Sequence, residues 1–168
     1  MAHDLLEAPV VAPEGIVGQG RDAAGHDRAV LDHANEDHEM RALAGSMNRI
    51  DELPFDFVRR RMSVVLKPST GTALLVCKGA VDEMLDICTK VEHAGRIEHL
   101  TDALRHKLHH LRDENNADGL RLVAVAYKAV DKQPGEFSTA DERELIFAGV
   151  IAFLDPPKET TAEALQLL

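Results

Sequence analysis

A cationic stretch that begins with aromatic rings contains the residues best suited to chemistry in this chain. Phe55 and Phe57 precede three arginines at positions 59–61, and the pair Lys78-Gly79 follows downstream. An aromatic face can stack on a purine base for roughly 1–3 kcal/mol, and arginine and lysine neutralise phosphates. The glycine lets a backbone approach a ligand closely. Taken singly, each phenylalanine is more often a core residue.

The charge pattern sets this stretch apart from the rest of the chain. Residues 55–80 carry five basic side chains and one acidic, whereas residues 1–54 carry four and eleven and residues 81–168 carry ten and seventeen. A positive region in a chain of formal net charge −10 indicates a local site for an anion. The alternative interpretation is a solvated strand edge guarded by basic residues.

Composition excludes several classes of protein. The length of 168 residues argues for one domain, and 45% apolar with 29% charged residues is typical of a soluble globular protein. The acidic total argues against nonspecific nucleic-acid binding, and no run approaches the ~18 apolar residues of a membrane helix. No secretory leader is visible, and two cysteines, Cys77 and Cys88, are too few for a disulfide framework. We expect both in the core of a cytosolic domain.

Nine histidines invite a metal-site interpretation, above all His106 and His110, which would share one helix face. Arg105 and Lys107 lie beside them and no acidic partner is expected on that face, so a solvated helix surface is the better interpretation. No metal site and no catalytic residue are predicted. The sequence contains no Gly-x-Ser-x-Gly elbow and no Walker-type phosphate loop, which argues against a standalone hydrolase or P-loop NTPase.

Elements that would position the cationic stretch follow from hydrophobic periodicity. Residues 1–25 are predicted to be mostly loop, with a short strand at 9–12. Residues 27–48 are predicted to be helical, because four apolar residues share one helix face: Met40, Leu43, Ala44 and Met47. The β-prone runs 61–66 and 73–77, separated by turn residues, predict an antiparallel hairpin.

The second half of the chain alternates between helical and extended patterns. A helix is predicted after the hairpin from an apolar face made of Val81, Met84, Leu85 and Cys88. A second helix covers 102–116, with Thr101 as its N-cap and Gly119 just past its end. Strands are predicted at 120–127 and 145–153, with one short helix between them opened by the capping box Ser138-Thr139-Ala140-Asp141. The order favours an α+β fold with a largely antiparallel sheet and helices on its outside.

Four blocks occur in an order that is specific as a set: Phe55 to Val64, Lys78-Gly79-Ala80, Gly119-Leu120-Arg121 and Asp155-Pro156-Pro157-Lys158. Together they resemble the nucleotide-binding (N) domain of the P-type ATPases, over roughly residues 27–168. The strings at 51–65 and 153–161 look most like the bacterial magnesium-importing branch. The resemblance implies a twisted antiparallel sheet with helices around it, which agrees with the pattern above.

The resemblance also implies roles for individual residues. Phe55 matches the ring that stacks on adenine, Lys78 the lysine lining the adenine pocket, and Gly79 the position of close approach. Arg60 matches a basic residue near the phosphates, and Arg121 an arginine that helps position ATP. Val123 matches an apolar position in the wall of the pocket. Asp27 matches an acidic residue near the adenine amino edge, in a degraded motif. Met62 belongs to the Arg-Met-Ser-Val block.

A division of the chain and a place in a larger pump are further implications of the resemblance. Residues 26–154 would be the ATP-binding domain, after a poorly placed segment at 1–25. Residues 155–168 would be the hinge and the start of the phosphorylation domain, with Asp155, Pro156 and Pro157 as hinge residues, since proline fixes φ. The parent would be a magnesium-importing ATPase of the cell (inner) membrane, with this domain in the cytoplasm.

The family motifs for the phosphorylated aspartate and for Mg²⁺ binding are absent from the sequence. We therefore expect this chain to bind ATP, with Mg²⁺ in the parent enzyme, without turning it over. The expected partners are the phosphorylation and actuator domains of the pump, with no nucleic acid and no direct membrane contact. The alternatives are the N domain of another cation-transporting P-type ATPase, or a noncatalytic module that binds an anion or an acidic protein.

Overall fold

One mixed sheet of eight strands forms the framework of the residues described by the computed structural model, which are 10–11 and 45–154. The strands are β1 Val10–Val11, β2 Met47–Asp56, β3 Arg61–Pro68, β4 Ala73–Ala80, β5 Cys88–His93, β6 Arg96–His99, β7 Leu120–Val130 and β8 Leu145–Leu154. The helices are α1 Val81–Ile87 and α2 Asp102–Ala117, with a 3₁₀ turn at Thr139–Asp141.

The order of strands across the sheet is β2-β3-β4-β7-β8-β5-β6, and β1 pairs with β8. Adjacent strands run antiparallel except at β5–β8 and β1–β8, which are parallel. The α+β class with a mainly antiparallel sheet is therefore confirmed. Both parallel pairs join β8 to strands from much earlier in the chain, as the long crossover connection of a parallel pair requires.

The core lies between one face of the sheet and the two helices. Strict alternation in β4 buries Leu75 and Cys77, while β7 buries Ala124 and Ala126. Against them pack apolar side chains of α1 and, less completely, of α2: Met84, Leu85, Leu104, Leu108 and Leu111. Each fully buried side chain of this size contributes about 1.5–3 kcal/mol. We call the opposite face of the sheet, on which neither α1 nor α2 packs, the open face.

Local signals at the helix ends are confirmed. The Thr101 hydroxyl accepts a hydrogen bond from the Leu104 amide at 3.3 Å, as an N-cap should. Gly119 follows α2 with φ +80°, a left-handed conformation that glycine adopts without strain. Ser138 and Asp141 form both hydrogen bonds of the capping box at the 3₁₀ turn.

Two predictions about the elements are corrected, and two strands were not predicted. The helix predicted through residue 48 is wrong at its end, because Met47 already begins β2, paired with Pro68. Residues 27–44 of that prediction lie outside the described part. Cys88 is buried but starts β5, because α1 ends at Ile87. Strands β5 and β6 were not predicted, since their residues are mostly polar and exposed and their order depends on pairing with β8.

Candidate functional site

The open face brings several of the predicted residues together. Met62 of β3 pairs with Lys78 of β4, which pairs in turn with Val125 of β7. Paired residues share a face, and all three alternate with core residues, so this row lies on the open face. Phe55 lies near the end of β2, within a register shift between Leu53 and Asp56 that interrupts the alternation just before Asp56 pairs with Arg61. β3, β4 and β7 thus align a thioether, a lysine and a valine on the open face, and Phe55 lies at the end of the neighbouring strand β2.

Phe55 and Phe57 are exposed, so the interpretation of them as core residues is wrong. The side chain of Phe55 is 47% exposed and that of Phe57 is 89% exposed. Their ring centroids lie 5.2 Å apart with the planes at 90°, an edge-to-face pair. That geometry is one that aromatic rings prefer, and it leaves ring surface accessible for stacking.

The turn between β2 and β3, at residues 57–60, is closed tightly by Asp56. One carboxylate oxygen of Asp56 accepts hydrogen bonds from the amides of Val58 and Arg59, both at 2.8 Å. The Arg60 amide donates to the Asp56 carbonyl at 2.6 Å, and Arg60 takes a left-handed φ of +50°. The hydrogen bond from the Arg59 amide is the main reason that the pKa of Asp56 lies below its ordinary value. The turn therefore has a defined shape.

Two of the three consecutive arginines are held by a buried carboxylate. Arg59 Nη1 lies 2.5 Å and Arg61 Nε 2.9 Å from Glu142 Oε2, and the Ser63 hydroxyl donates to Oε1 at 2.8 Å. The side chain of Glu142 is fully buried. Burial alone would raise the pKa of Glu142, but the hydrogen bonds from Arg59, Ser63 and Arg61 outweigh it and hold the pKa below its usual value. Two of the three positive charges at 59–61 are thus paired with a carboxylate of the protein itself.

Arg60 points elsewhere and meets α1. Its Nη1 lies 2.8 Å from Oε1 of Glu83, in a pair whose arginine side chain is 59% exposed. The carbonyl of Arg60 accepts a hydrogen bond from the Ala80 amide at 3.1 Å. An exposed pair of this kind is weak and exchanges readily, so the Arg60 guanidinium can turn to another anion at little cost.

Gly79 is required by the chain's own packing. A Cβ at this position would lie 2.6 Å from the carbonyl oxygen of Arg60 and 2.5 Å from Cβ of Arg61. The close approach predicted at Gly79 is therefore made in the structure by β3, its paired strand. Its predicted approach to a ligand stays a prediction.

Arg121 and Val123 lie further along β7. Val123 is half-buried and pairs with Ala80, and Arg121 is exposed and pairs with Phe153 of β8. Arg121 lies four residues before Val125, the partner of Lys78, and four residues span about 13 Å along a strand. The two cations therefore flank an elongated region of the open face. Asp27, Asp155, Pro156 and Pro157 lie outside the described residues, as does the predicted hinge.

Other features separate this region from alternative sites. A cleft of about 440 Å³ lies at the far end of the sheet, where Lys67, Gly71 and Lys132 are among its lining residues. Burial raises the pKa of Cys77 to about 11 and that of Cys88 to about 12, which suits core residues.

Among residues 10–11 and 45–154 no group of histidine, cysteine or carboxylate side chains is arranged to hold a metal ion. In the same ranges no helix has the length and apolar character to cross a membrane.

Sequence reasoning missed the acidic residues that hold this region in place, Glu142 and Glu83. Glu142 follows the capping box, and no local pattern marks it as buried; the signal that could have found it is the run of arginines, which needs a counter-charge once part of it is buried. One expectation about α2 is also wrong: His110 Nδ1 lies 3.1 Å from Oε2 of Glu114, an acidic partner four residues on.

Comparisons with known proteins cover most of the chain. The profile of the family described as "P-type ATPase, cytoplasmic domain N" matches residues 21–160. Over 142 residues the chain is 50% identical to the "Magnesium-transporting ATPase, P-type 1" of Escherichia coli (strain K12), which covers 84% of this chain and 16% of that protein. The protein of the same name from Salmonella typhimurium (strain LT2) is 49% identical over the same length, with the same coverage.

More distant relatives carry a different name. The "Calcium-transporting ATPase 1" of Lactococcus lactis is 31% identical over 117 residues, 70% of this chain and 13% of that protein. The chain thus spans about a sixth of the length of the magnesium-transporting relatives, at 16%.

Proposed function

The chain belongs to the family of P-type ATPase cytoplasmic N domains, and from this premise we propose that it binds ATP by the adenine ring on the open face of its sheet. The observation that carries the proposal is the row of Met62 and Lys78 on the open face, together with the exposed ring of Phe55 at the end of the neighbouring strand β2. An exposed aromatic ring costs hydrophobic free energy unless a ligand covers it, and adenine offers a flat apolar face of matching shape.

Each residue of the site has a distinct task in this proposal. Phe55 stacks on the adenine, while Met62 and Val123 provide apolar contacts at the sides of the pocket. Lys78 lines the pocket, and Arg60 and Arg121 neutralise phosphate charge at a distance from it. Asp27 contacts the adenine amino edge. The proposal is supported by the shared open face of Met62, Lys78 and Val123 and by the exposure of Phe55.

We propose that the domain acts by delivering ATP rather than by cleaving it. In a parent pump the γ-phosphoryl group would pass from ATP, bound with Mg²⁺, to an aspartate in the phosphorylation domain, leaving ADP on this domain. Asp155, Pro156 and Pro157 would be the hinge of that movement. The contribution of this chain is then proximity and orientation.

The names of the more similar relatives favour magnesium as the transported ion. Proteins named as magnesium-transporting are 40–50% identical to this chain, whereas one named as calcium-transporting is 31% identical. We propose a magnesium-importing pump of the cell (inner) membrane as the parent, with this domain in the cytoplasm and with the phosphorylation and actuator domains as partners.

The proposal is tested by titrating the chain with ATP while recording amide NMR spectra. Shifts are expected near Phe55, Lys78 and Arg121 at millimolar ATP, and F55A and K78A should each weaken binding by about tenfold, because each removes one of the main contacts. Ile97 is also an exposed apolar residue, 52% exposed on β6, and Lys90 is an exposed lysine on β5. I97A and K90A should bind ATP like the wild type.

Inorganic triphosphate separates the two kinds of anion site. An adenine pocket binds ATP more tightly than triphosphate, and F55A should remove that preference. Equal affinity of the wild type for both ligands would favour the noncatalytic anion-binding module, and the absence of any shift at these residues would contradict the proposal.

A further inference from the structure

Glu142 is a fully buried carboxylate that no predicted role uses. It lies directly after the 3₁₀ turn that precedes β8, and its residue is 2% exposed. Its two oxygens accept three hydrogen bonds, all from β3 or the turn before it. Burying an isolated carboxylate is very unfavourable, so its pairing with arginines is what makes this position tolerable.

The contacts of Glu142 join distant parts of the sequence at one point. Glu142 and Arg59 are 83 positions apart, and Glu142 and Ser63 are 79 apart. On one side the ion pair therefore reaches the turn at residues 57–60, and on the other it reaches the segment that leads into β8. Arg59 also donates from Nη2 to the Pro54 carbonyl at 3.0 Å, which extends the contact to the residue before Phe55.

The segment that carries Glu142 is itself well anchored. Asp141 completes the capping box with Ser138, and its carboxylate lies 2.6 Å from Nζ of Lys132. Leu145, three residues after Glu142, is fully buried in the core. Glu142 is thus held between two fixed points, and its contacts with Arg59 and Arg61 connect the turn at 57–60 to them.

We propose that Glu142 is a positioning residue for nucleotide binding: through Arg59 and Arg61 it fixes the turn at 57–60, and with it the orientation of Phe55 and Phe57. Glu142 does not touch the nucleotide. The inference rests on the proposed function, because the ring pair that it orients is the proposed adenine contact. Arg60, between the two anchored arginines, is directed away from Glu142 by the same arrangement and towards Glu83.

Substitutions at Glu142 form the test, with ATP titrations of the whole chain followed by amide NMR. E142A removes all three hydrogen bonds, and we expect its ATP affinity to fall by about tenfold, because misplaced contact groups lose binding steeply. E142Q keeps the shape and can still accept from an arginine while donating to Ser63, so it should recover part of the affinity. The amide signals of residues 57–60 should move in both variants before any ATP is added.

Two controls separate positioning from general loss of stability. E144Q removes an equal charge from an exposed residue two positions away. L111A weakens the packing of α2 on the core, on the side of the sheet opposite the open face. Both variants, measured at a temperature where they are folded, should bind ATP like the wild type and leave the signals of 57–60 in place.

The outcomes distinguish this inference from the proposed function. Wild-type affinity in folded E142A and E142Q overturns the positioning role and leaves ATP binding intact. A loss of affinity in L111A as large as that in E142A also overturns it, because stability would then account for the effect. No binding of ATP by the wild type overturns the proposed function, and the positioning role with it. Should E142A not fold, E142Q carries the same test, with a loss of about threefold expected.

Discussion

At Gly79 a single added methyl group would disturb both the sheet and the site. G79A would force Cβ against the Arg60 carbonyl and Arg61 Cβ, at 2.6 and 2.5 Å, and backbone cannot swing aside as a side-chain end can. We expect a loss of about 1–3 kcal/mol in the free energy of unfolding, the usual cost of overpacking. Denaturant unfolding measures it. Gly45 has open space around it, so G45A is the matched control, and equal stability of the two variants would contradict the explanation.

Glu142 also makes the free energy of unfolding depend on pH. Its pKa in the folded chain lies below the usual value of 4.5, so its stabilising contribution is complete above about 4.5 and is lost as pH falls through the folded value. E142Q should therefore be less stable than the wild type at neutral pH but lose less stability below pH 4.5. Thermal unfolding from pH 7 to 3 measures both. Asp56 and Asp141, whose pKa values are also lowered, leave a residual slope in the variant.

The loss of folding stability at neutral pH depends on which charged groups each variant leaves without a partner. E142A strands two largely buried arginines without their partner, which should cost about 3–5 kcal/mol. E144Q should unfold like the wild type over the whole pH range. A parallel pH dependence in wild type and E142Q would contradict the assignment.

How far sequence could predict single residues depended on the range of the interaction. Phe55, Met62 and Lys78 could be chosen because the types of residue and their order match a known pattern, and strand register then places Met62 next to Lys78. Glu142 could not be chosen in that way, because its partners lie 79 to 83 positions away and the pairing exists only once β3 and the segment before β8 have met. The same distance explains why Arg59 and Arg61 were taken for part of an anion site.

Among the elements, α2 offers a test of a local signal. T101A should remove the hydrogen bond to the Leu104 amide and lower the free energy of unfolding by about 1 kcal/mol, the usual value of an N-cap. T101S keeps the hydroxyl and should retain most of that stability. Because α2 covers the face opposite the candidate site, ATP affinity should be equal in all three proteins, and thermal unfolding with ATP titration checks both points.

Elements with local signals were predicted well, and those without them were not. The hairpin of β3 and β4, the cap of α2 and the capping box each depend on residues a few positions apart. β2 was missed because an edge strand with few buried residues shows little alternation, and its first residues were read as the end of a helix. β5 and β6 were missed because they become ordered by pairing with β8 rather than through their own sequence.

For the whole molecule, charge pattern and structure have to be considered together. The excess of positive charge at 55–80 is real in the sequence, but the acidic partners Glu142 and Glu83 come from outside that stretch. The cations of the proposed site are therefore dispersed: Lys78, Arg60 and Arg121 lie on three different strands or turns. A linear count of charge therefore overstates how much of the positive charge at 55–80 a ligand would meet.

The central place of β8 has a consequence for the order in which the chain can fold during synthesis. β7, β5 and β1 all pair with β8, and all three are made before it. Until residue 154 has left the ribosome, β7 keeps one edge without its partner and β5 is joined only to β6. The hairpin of β3 and β4 can form early, whereas the described part of the sheet is completed only by β8. Nascent chains are therefore most exposed to mispairing just before synthesis of this segment ends.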